Sequence, residues 1–369
     1  MTLHLIRETL LEPLQTVIGV VEAKQTLPVL SNVLLNIEDN RLLVTGTDLE
    51  VELIGCSTIT HTEKQNTSVT LPGRKLIDIC KSLPANAAIE LFQEKEQIVL
   101  KSGKSRFTLS TLPVGDFPTM DNLSPITEFA MPQMDVLSLL KRTAFSMAQH
   151  DVRYYLNGIL LEVTNSSISM VATDGHRLSM SSVPATTALD HKVQTIIPRK
   201  GALELIRLLE NNDTPLSIEI GNSILRAKSN SFIFTTKLLE GRFPDYNRVI
   251  PKNNENVIRI EKNRLINSLK RNAILCNEKF KGVRFEIRSG FMKILSNNPE
   301  QETAEEVLQI DYTGSDIDIG FNVNYLIENL NIIQTDIVQL SLADSNSSML
   351  INEVNTDSDS QYVLMPMRL

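Results

Sequence analysis

Apolar residues along this chain follow two rhythms, and the two alternate in the same order three times. Spacings of three and four, as one face of a helix requires, join Leu11, Leu14 and Ile18, then Leu137, Leu140 and Ala144, then Leu265, Leu269 and Ala273. Each predicted helix gives way to spacing of two, the mark of a half-buried strand. The first such run is Leu35 and Ile37 before an Asp39-Asn40 turn. The second is Ile159, Leu161 and Val163, a turn at Asn165-Ser166-Ser167, then Ile168 and Met170. The third is Val283, Phe285 and Ile287, a turn at Ser289-Gly290, then Met292 and Ile294. A second helix face follows at Leu76, Cys80 and Leu83, at Ala202, Ile206 and Leu209, and at Leu326, Leu330 and Ile333. Pro72 and Pro198 open two of these helices, where a first turn tolerates a residue without an amide proton. Further alternation, such as Phe232, Phe234 and Thr236, closes the unit.

The copies are related by more than pattern. Thr47-Asp48 returns as Thr173-Asp174, Pro72 as Pro198, and Phe117-Pro118 as Phe243-Pro244, each at an offset of 126. The 369 residues therefore divide into three units of about 123, a size at which one domain buries its own core. The expected domains are residues 1–125, 126–250 and 251–369. Two helices among many antiparallel strands make each unit α+β rather than a doubly wound parallel sheet.

Composition narrows the class without naming it. Hydrophobic residues at 42% and charged residues at 22% describe an ordinary folded protein. The first thirteen residues carry Arg7, Glu8 and Glu12 within their apolar pattern, so neither a signal peptide nor a membrane span is expected, and the cytoplasm is the expected location. Cys56, Cys80 and Cys276 form no CxxC pair and read as free thiols. The net charge of −8 argues against nucleic acid as a whole-molecule property, yet basic residues gather on helices. Arg74, Lys75 and Lys81 do so, as do Arg199, Lys200 and Arg207, and Lys262, Arg264, Lys270 and Arg271. These are either solvated faces or one repeated face for a polyanion.

Catalytic signatures are missing. No Walker phosphate loop, GxGxxG, HExxH or GxSxG occurs, and five histidines lack metal-ligand spacing; no cofactor or metal is expected. Residues 172–178 (ATDGHRL) place Asp174, His176 and Arg177 together, which suits acid and base chemistry. The matching positions of the other copies lack the histidine, which suits a turn instead. Arg153-Tyr154-Tyr155 combines a cation with two aromatics, a set that stacks on bases or holds phosphates. The chain ends YVLMPMRL, either a closing strand or a methionine-rich surface for a peptide. Glu300, Glu302, Glu305 and Glu306 cluster in the third unit, and Lys101, Lys104 and Arg106 in the first, opposite charges that invite head-to-tail pairing between chains.

Seven segments in order carry a resemblance over the full length: residues 44–50 (VTGTDLE), 105–116 (SRFTLSTLPVGD), 151–158 (DVRYYLNG), 172–178 (ATDGHRL), 240–246 (EGRFPDY), 277–283 (NEKFKGV) and 365–369 (MPMRL). Together they resemble the bacterial DNA polymerase III beta subunit family, the sliding clamps. The resemblance implies a clamp fold and a head-to-tail homodimeric ring that encircles duplex DNA, slides and gives polymerases processivity without catalysing a reaction. A domain of about 123 residues is roughly 30 to 35 Å across, so six domains, not three, leave a hole of about 30 Å.

The implied DNA contacts fall on Lys24, Arg74, Gln149, His150, Tyr154 and Tyr155, with Lys200 and Arg207 as further lining. Two departures are Lys24, where arginine is commoner, and the order of the Gln149-His150 pair. The implied partner-peptide pocket comprises Leu156, Thr173, Gly175, His176, Arg177, Leu178, Pro244, Arg248, Val249, Ser348, Val363, Met365, Pro366, Met367, Arg368 and Leu369. Its implied occupants are short peptides of the replicative polymerase alpha subunit, clamp loader subunits, other polymerases and repair proteins. The implied dimer contact uses Lys75, Arg106, Phe107, Leu109, Ile274 and Leu275, with Arg106 facing Glu300, Glu302, Glu305 and Glu306.

Overall fold

A computed structural model describes residues 2–22, 27–38, 40–59, 67–120, 123–187, 189–252, 254–356 and 359–368. One succession of elements occurs three times: a strand, a helix, four strands, a helix and three strands. In the first third these are β1 (Thr2–Ile6), α1 (Arg7–Val17), β2 (Asn32–Glu38), β3 (Arg41–Thr47), β4 (Val51–Thr58), β5 (Thr67–Pro72), α2 (Gly73–Ser82), β6 (Ala88–Glu94), β7 (Gln97–Ser102) and β8 (Ser105–Ser110). In the second they are β9 (Thr127–Pro132), α3 (Gln133–Thr143), β10 (Gly158–Val163), β11 (Ser167–Thr173), β12 (Arg177–Pro184), β13 (Val193–Pro198), α4 (Arg199–Leu208), β14 (Pro215–Ile220), β15 (Ile224–Lys228) and β16 (Phe232–Lys237). In the third they are β17 (Asn256–Glu261), α5 (Lys262–Ala273), β18 (Gly282–Arg288), β19 (Phe291–Asn297), β20 (Thr303–Gln309), β21 (Ile317–Asn322), α6 (Val323–Ile332), β22 (Ile337–Leu342), β23 (Met349–Glu353) and β24 (Asp359–Leu364).

The expected hairpins form as β2·β3, β10·β11 and β18·β19, though Asp39 of the first turn lies outside the described residues. The helix stripes are enclosed at Leu76 and Cys80 on α2 and at Leu326 and Leu330 on α6, but on α4 Ala202 is followed by Leu205 and not by the expected Ile206, which is half-buried. Three opening strands, β1, β9 and β17, escaped the periodicity because each runs without a break into a helix. Pro72 and Pro198 stand one residue earlier than their helices. They end β5 and β13, where Pro72 pairs with Asn32 and Pro198 with Gly158, and the extended backbone of Pro72 (φ −60°, ψ 107°) hands the chain to α2. The third copy has asparagine there, and the Asn322 side chain caps α6 by accepting from the Asn324 and Tyr325 amides. Burial pushes the Cys80 thiol up to about 12, so it behaves as a small core hydrophobe.

Backbone pairing divides the chain differently from the repeat. Each repeat makes two four-stranded half-sheets, and neighbouring repeats join halves. The first compact body (Met1–Val136 and Lys200–Leu238) holds the eight-stranded sheet β5-β2-β3-β4-β16-β15-β14-β9 and the four-stranded sheet β1-β6-β7-β8. The second (Leu137–Arg199 and Leu239–Leu369) holds β13-β10-β11-β12-β24-β23-β22-β17 and β20-β19-β18-β21. The joins are β4·β16 in one body and β12·β24 in the other, both antiparallel. Among the described residues no helix is long and apolar enough to cross a membrane.

Candidate functional site

The turn at residues 173–177 shows what its sequence is for. The Thr173 hydroxyl donates to the Arg177 carbonyl (2.6 Å) and accepts from the Gly175 amide (3.1 Å), while Asp174 Oδ1 accepts from the His176 and Arg177 amides (2.9 and 3.0 Å). The same four bonds recur 126 residues earlier on Thr47 and Asp48, at 3.0, 3.1, 2.9 and 2.8 Å. The shared Thr-Asp pair is therefore a turn former in both copies. Gly175 supplies the left-handed residue (φ +88°), where the first copy places Leu49 at φ +76°. A Cβ on Gly175 would lie 3.0 Å from Arg153 Nη2, so glycine also lets this turn meet the 149–155 segment.

Arg177 is 8% exposed and fully engaged. It binds Asp174 Oδ2 at 3.1 Å, pairs with Glu328, donates to the Phe145 carbonyl (2.7 Å), and lies over the rings of Tyr325 (4.3 Å) and Phe145 (5.3 Å). Its work is holding β12 and the turn to α6. Arg177→Ala is expected to cost about 2 to 4 kcal/mol, because two carboxylates and a carbonyl lose a buried donor. Arg177→Lys should recover only part, since an ammonium cannot fork between them or lie flat on the rings. Urea unfolding midpoints check both.

Beside this turn lies an apolar cluster in which Leu156, Leu178, Val363, Phe243 and Tyr246 are buried and Val249, Tyr155 and Leu350 half-buried. Leu178 and Val363 face each other across the β12·β24 join. Arg142 of α3 fastens β23 and β24 from behind through Glu353 (2.6 Å) and Ser360 (3.2 Å). Beyond β24 the chain is held at two points, Met365 N to His176 O (3.0 Å) and Met367 N to Gly320 O (2.8 Å). Met365 and Arg368 stay exposed and Pro366 and Met367 half-buried; Met365 stays beside His176, while Pro366, Met367 and Arg368 line a second open cleft of about 580 Å³ with Arg284, Asp318 and Gly320. Thr173, Gly175 and Ser348 are half-buried, and His176, Pro244 and Arg248 exposed; Arg248 pairs with Asp245 (2.9 Å). Leu369 lies outside the described residues.

The 149–155 segment lies against the same cluster. Gln149 and His150 are exposed, and His150 takes φ +56°. Tyr154 is exposed and meets half-buried Tyr155 edge to face at 5.9 Å. Arg153 chelates Asp151 and holds its carboxyl down at about 2. An open cleft of about 670 Å³ runs from this segment past Asp174 and His176 to Arg199 and Tyr325.

The other expected lining residues belong to the first body and to α4. Arg74 is exposed on α2 and donates to the Val21 carbonyl (3.0 Å). Lys200 pairs with Asp48 and Glu22, and Arg207 with Glu204 and the Gln15 and Thr16 carbonyls near the end of α1. Those two cations already have partners within the chain. Lys24 lies outside the described residues.

Of the expected contact residues, Ile274 is 76% exposed after α5, Lys75 is exposed, Phe107 and Leu275 are half-buried, and Leu109 is enclosed in its own body. Arg106 pairs with Glu94 and lies over Phe92. Glu305 pairs with Lys293 (2.8 Å) and Glu306 with Arg271, while Glu300 and Glu302 are exposed. Phe145, Tyr325 and Glu328, which complete the Arg177 clamp, gave no signal in the sequence, because neither spacing nor repeat marks a side chain whose partner is distant along the chain, 32 residues away for Phe145 and in another repeat for Tyr325 and Glu328. Among the described residues no cluster of three histidine, cysteine or acidic side chains could hold a metal ion.

Comparison with known proteins bears on the whole chain. Family models of the DNA polymerase III beta subunit match three stretches: the N-terminal domain over residues 1–121, the central domain over 130–245 and the C-terminal domain over 247–368. The chain is 50% identical over 363 residues to the beta sliding clamp of Pseudomonas aeruginosa and 46% over 364 residues to that of Escherichia coli K12, covering 98% of each chain in both pairs. Among solved structures it is similar to a sliding clamp (DNA polymerase III subunit beta) from P. aeruginosa bound to griselimycin, with a TM-score of 0.97, 49% identity and full coverage of both chains.

Proposed function

Starting from the fact that the chain belongs to the DNA polymerase III beta subunit family, we propose how its residues make a clamp. The protein is a DNA sliding clamp, a processivity factor and not a catalyst. Two copies close head to tail around duplex DNA, an ATP-dependent loader places them there, and the ring works in the cytoplasm. The repeats 1–125, 126–250 and 251–369 are its domains.

One observation carries the ring: among the described residues two half-sheets are left without a partner. Inside the chain the third strand of each leading hairpin set joins the third strand of the following copy's trailing set, as β4·β16 and β12·β24. The strands left over at those places are β20 and β8, both at sheet edges, and an open edge is a template for another chain. Pairing β20 with β8 of a second copy completes the series, and the same operation repeated once closes a two-fold ring. Carrying the register of the two internal joins to this third one sets Arg106 opposite Glu305 and Ser105 opposite Glu306. That is charge-complementary.

The DNA contact is assigned to Lys24, Arg74, Gln149, His150, Tyr154 and Tyr155, with Lys200 and Arg207 contributing only the charge their partners leave. A weak lining inside a chain of net charge −8 favours sliding, because many phosphate contacts would fix the ring in place. The Leu178–Val363 groove, rimmed by His176 and Met365, receives the short apolar peptides of the replicative polymerase, the clamp loader and repair proteins. Retention on DNA tests the topological reading. Loaded on a nicked circle, the protein should remain through gel filtration, and cutting the circle should release it within minutes. Equal retention on circle and linear duplex would overturn encirclement.

A further inference from the structure

The two internal joins are built alike but face each other with different chemistry. In the second body Leu178 stands opposite Val363, which stands opposite Leu350, a Leu-Val-Leu ladder within the apolar cluster of the groove. The offset of 126 and the matching pairings put Glu52 in the place of Leu178, opposite Thr235, which stands opposite Arg226. The floor beneath survives in both copies. Leu30 and Phe117, in the places of Leu156 and Phe243, are 3% and 6% exposed within one apolar cluster. Glu52 is itself only 5% exposed, and its Oε2 accepts the Met120 amide at 2.9 Å. Met120 holds the place of Tyr246. Arg226 Nε donates to the Thr235 hydroxyl at 3.1 Å, completing a polar ladder where the other join is greasy.

We propose that Glu52 closes the first join to the apolar peptides that the second join accepts, so that each chain offers one groove instead of two. The carboxylate is held by its own chain, and burial raises its pKa against the lowering effect of the Met120 amide and Arg226. An apolar side chain entering there would strip that amide from the carboxylate and leave both groups buried without partners. A residue of this kind sets specificity by rejection, and the copy that lacks it is the copy that binds. The same repeated scaffold thereby carries a structural join and a recognition join.

The inference rests on the peptide groove assigned above, and the experiment separates the two. The probe is a synthetic peptide with the clamp-binding motif of the replicative polymerase, followed by titration calorimetry. The intact protein should bind one peptide per chain, and protein lacking residues 365–369 should bind none. In that truncated background Glu52→Leu with Thr235→Val and Arg226→Leu, which rebuilds the Leu-Val-Leu ladder, should restore one saturable site per chain, weaker than the native groove because Lys237 stands where the second join has Met365. Glu52→Leu alone should give a weaker saturable site. Melting curves verify that each variant is folded, and in the full-length chain the ladder variant should bind two. Failure of the intact protein to bind would remove the groove assignment itself. One site in the intact protein but none in either folded variant would overturn the role of Glu52 and leave the groove standing.

Discussion

Removing residues 365–369 should raise the dissociation constant for a polymerase peptide at least about 100-fold while leaving the fold and the dimer intact. The tail meets the described body through two backbone hydrogen bonds, from Met365 N and Met367 N, each contributing about 0.5 to 1.5 kcal/mol. The strand before it is self-sufficient, with Tyr362, Val363 and Leu364 at most 1% exposed and Arg142 fastening Ser360. Thermal unfolding should therefore shift by only a few degrees. The groove loses more than the fold does. A peptide that covers Met365 beside His176 and reaches Met367 beside Gly320 buries both, and at about 1.5 to 3 kcal/mol for each methionine side chain their loss gives two decades or more in affinity. Calorimetry with the peptide and light scattering for mass read the two properties separately. Unchanged affinity would refute the assignment of the tail to the groove.

The sequence disclosed the architecture of the copies better than the way they are joined. Offsets of 126 at Thr47, Pro72 and Phe117 mark three units, because side chains that form turns and helix starts are local and repeat with the chain. Which half-sheet meets which is decided by strands more than a hundred residues apart, as when Leu178 finds Val363. No spacing rule reaches that far. Charge was the other gap. Lys200 and Arg207 read as free cations on a helix face, but Asp48, Glu22 and the carbonyls in the last turn of α1 claim them. Polar pairing depends on contacts between repeats, whereas helix periodicity depends only on neighbours along one turn. The departures from repetition were legible in the letters, since Gly175-His176-Arg177 stands where the first copy has Leu49-Glu50-Val51. What those departures do required the join to be seen.

Ile274→Asp should turn the dimer into a monomer without weakening the chain. Ile274 follows the last turn of α5, donates its amide to the Arg271 carbonyl, and leaves 76% of its surface exposed, so a polar replacement removes no core contact. An isoleucine that exposed adds little to the stability of one chain, and its burial is available to a partner. In the ring, losing that burial costs about 1.5 to 3 kcal/mol, and setting a carboxylate among the apolar side chains of that contact costs more. The dimer dissociation constant should rise at least about 1,000-fold, which at micromolar concentration means a mass of 41.3 kDa by light scattering instead of twice that. The charged neighbours predict a much smaller response. Arg106 is exposed and already paired with Glu94 inside its own chain, so exchanging that partner for Glu305 across the join contributes at most about 1 kcal/mol. Arg106→Ala should accordingly leave a dimer, less stable by less than a factor of about ten. A stable dimer for Ile274→Asp, or a monomer for Arg106→Ala with Ile274 in place, would reverse the ranking and make the ring electrostatic. If the ranking holds, the aspartate variant should also fail to stay on circular DNA while keeping its peptide affinity, because Leu178, Val363 and the tail all lie within one chain.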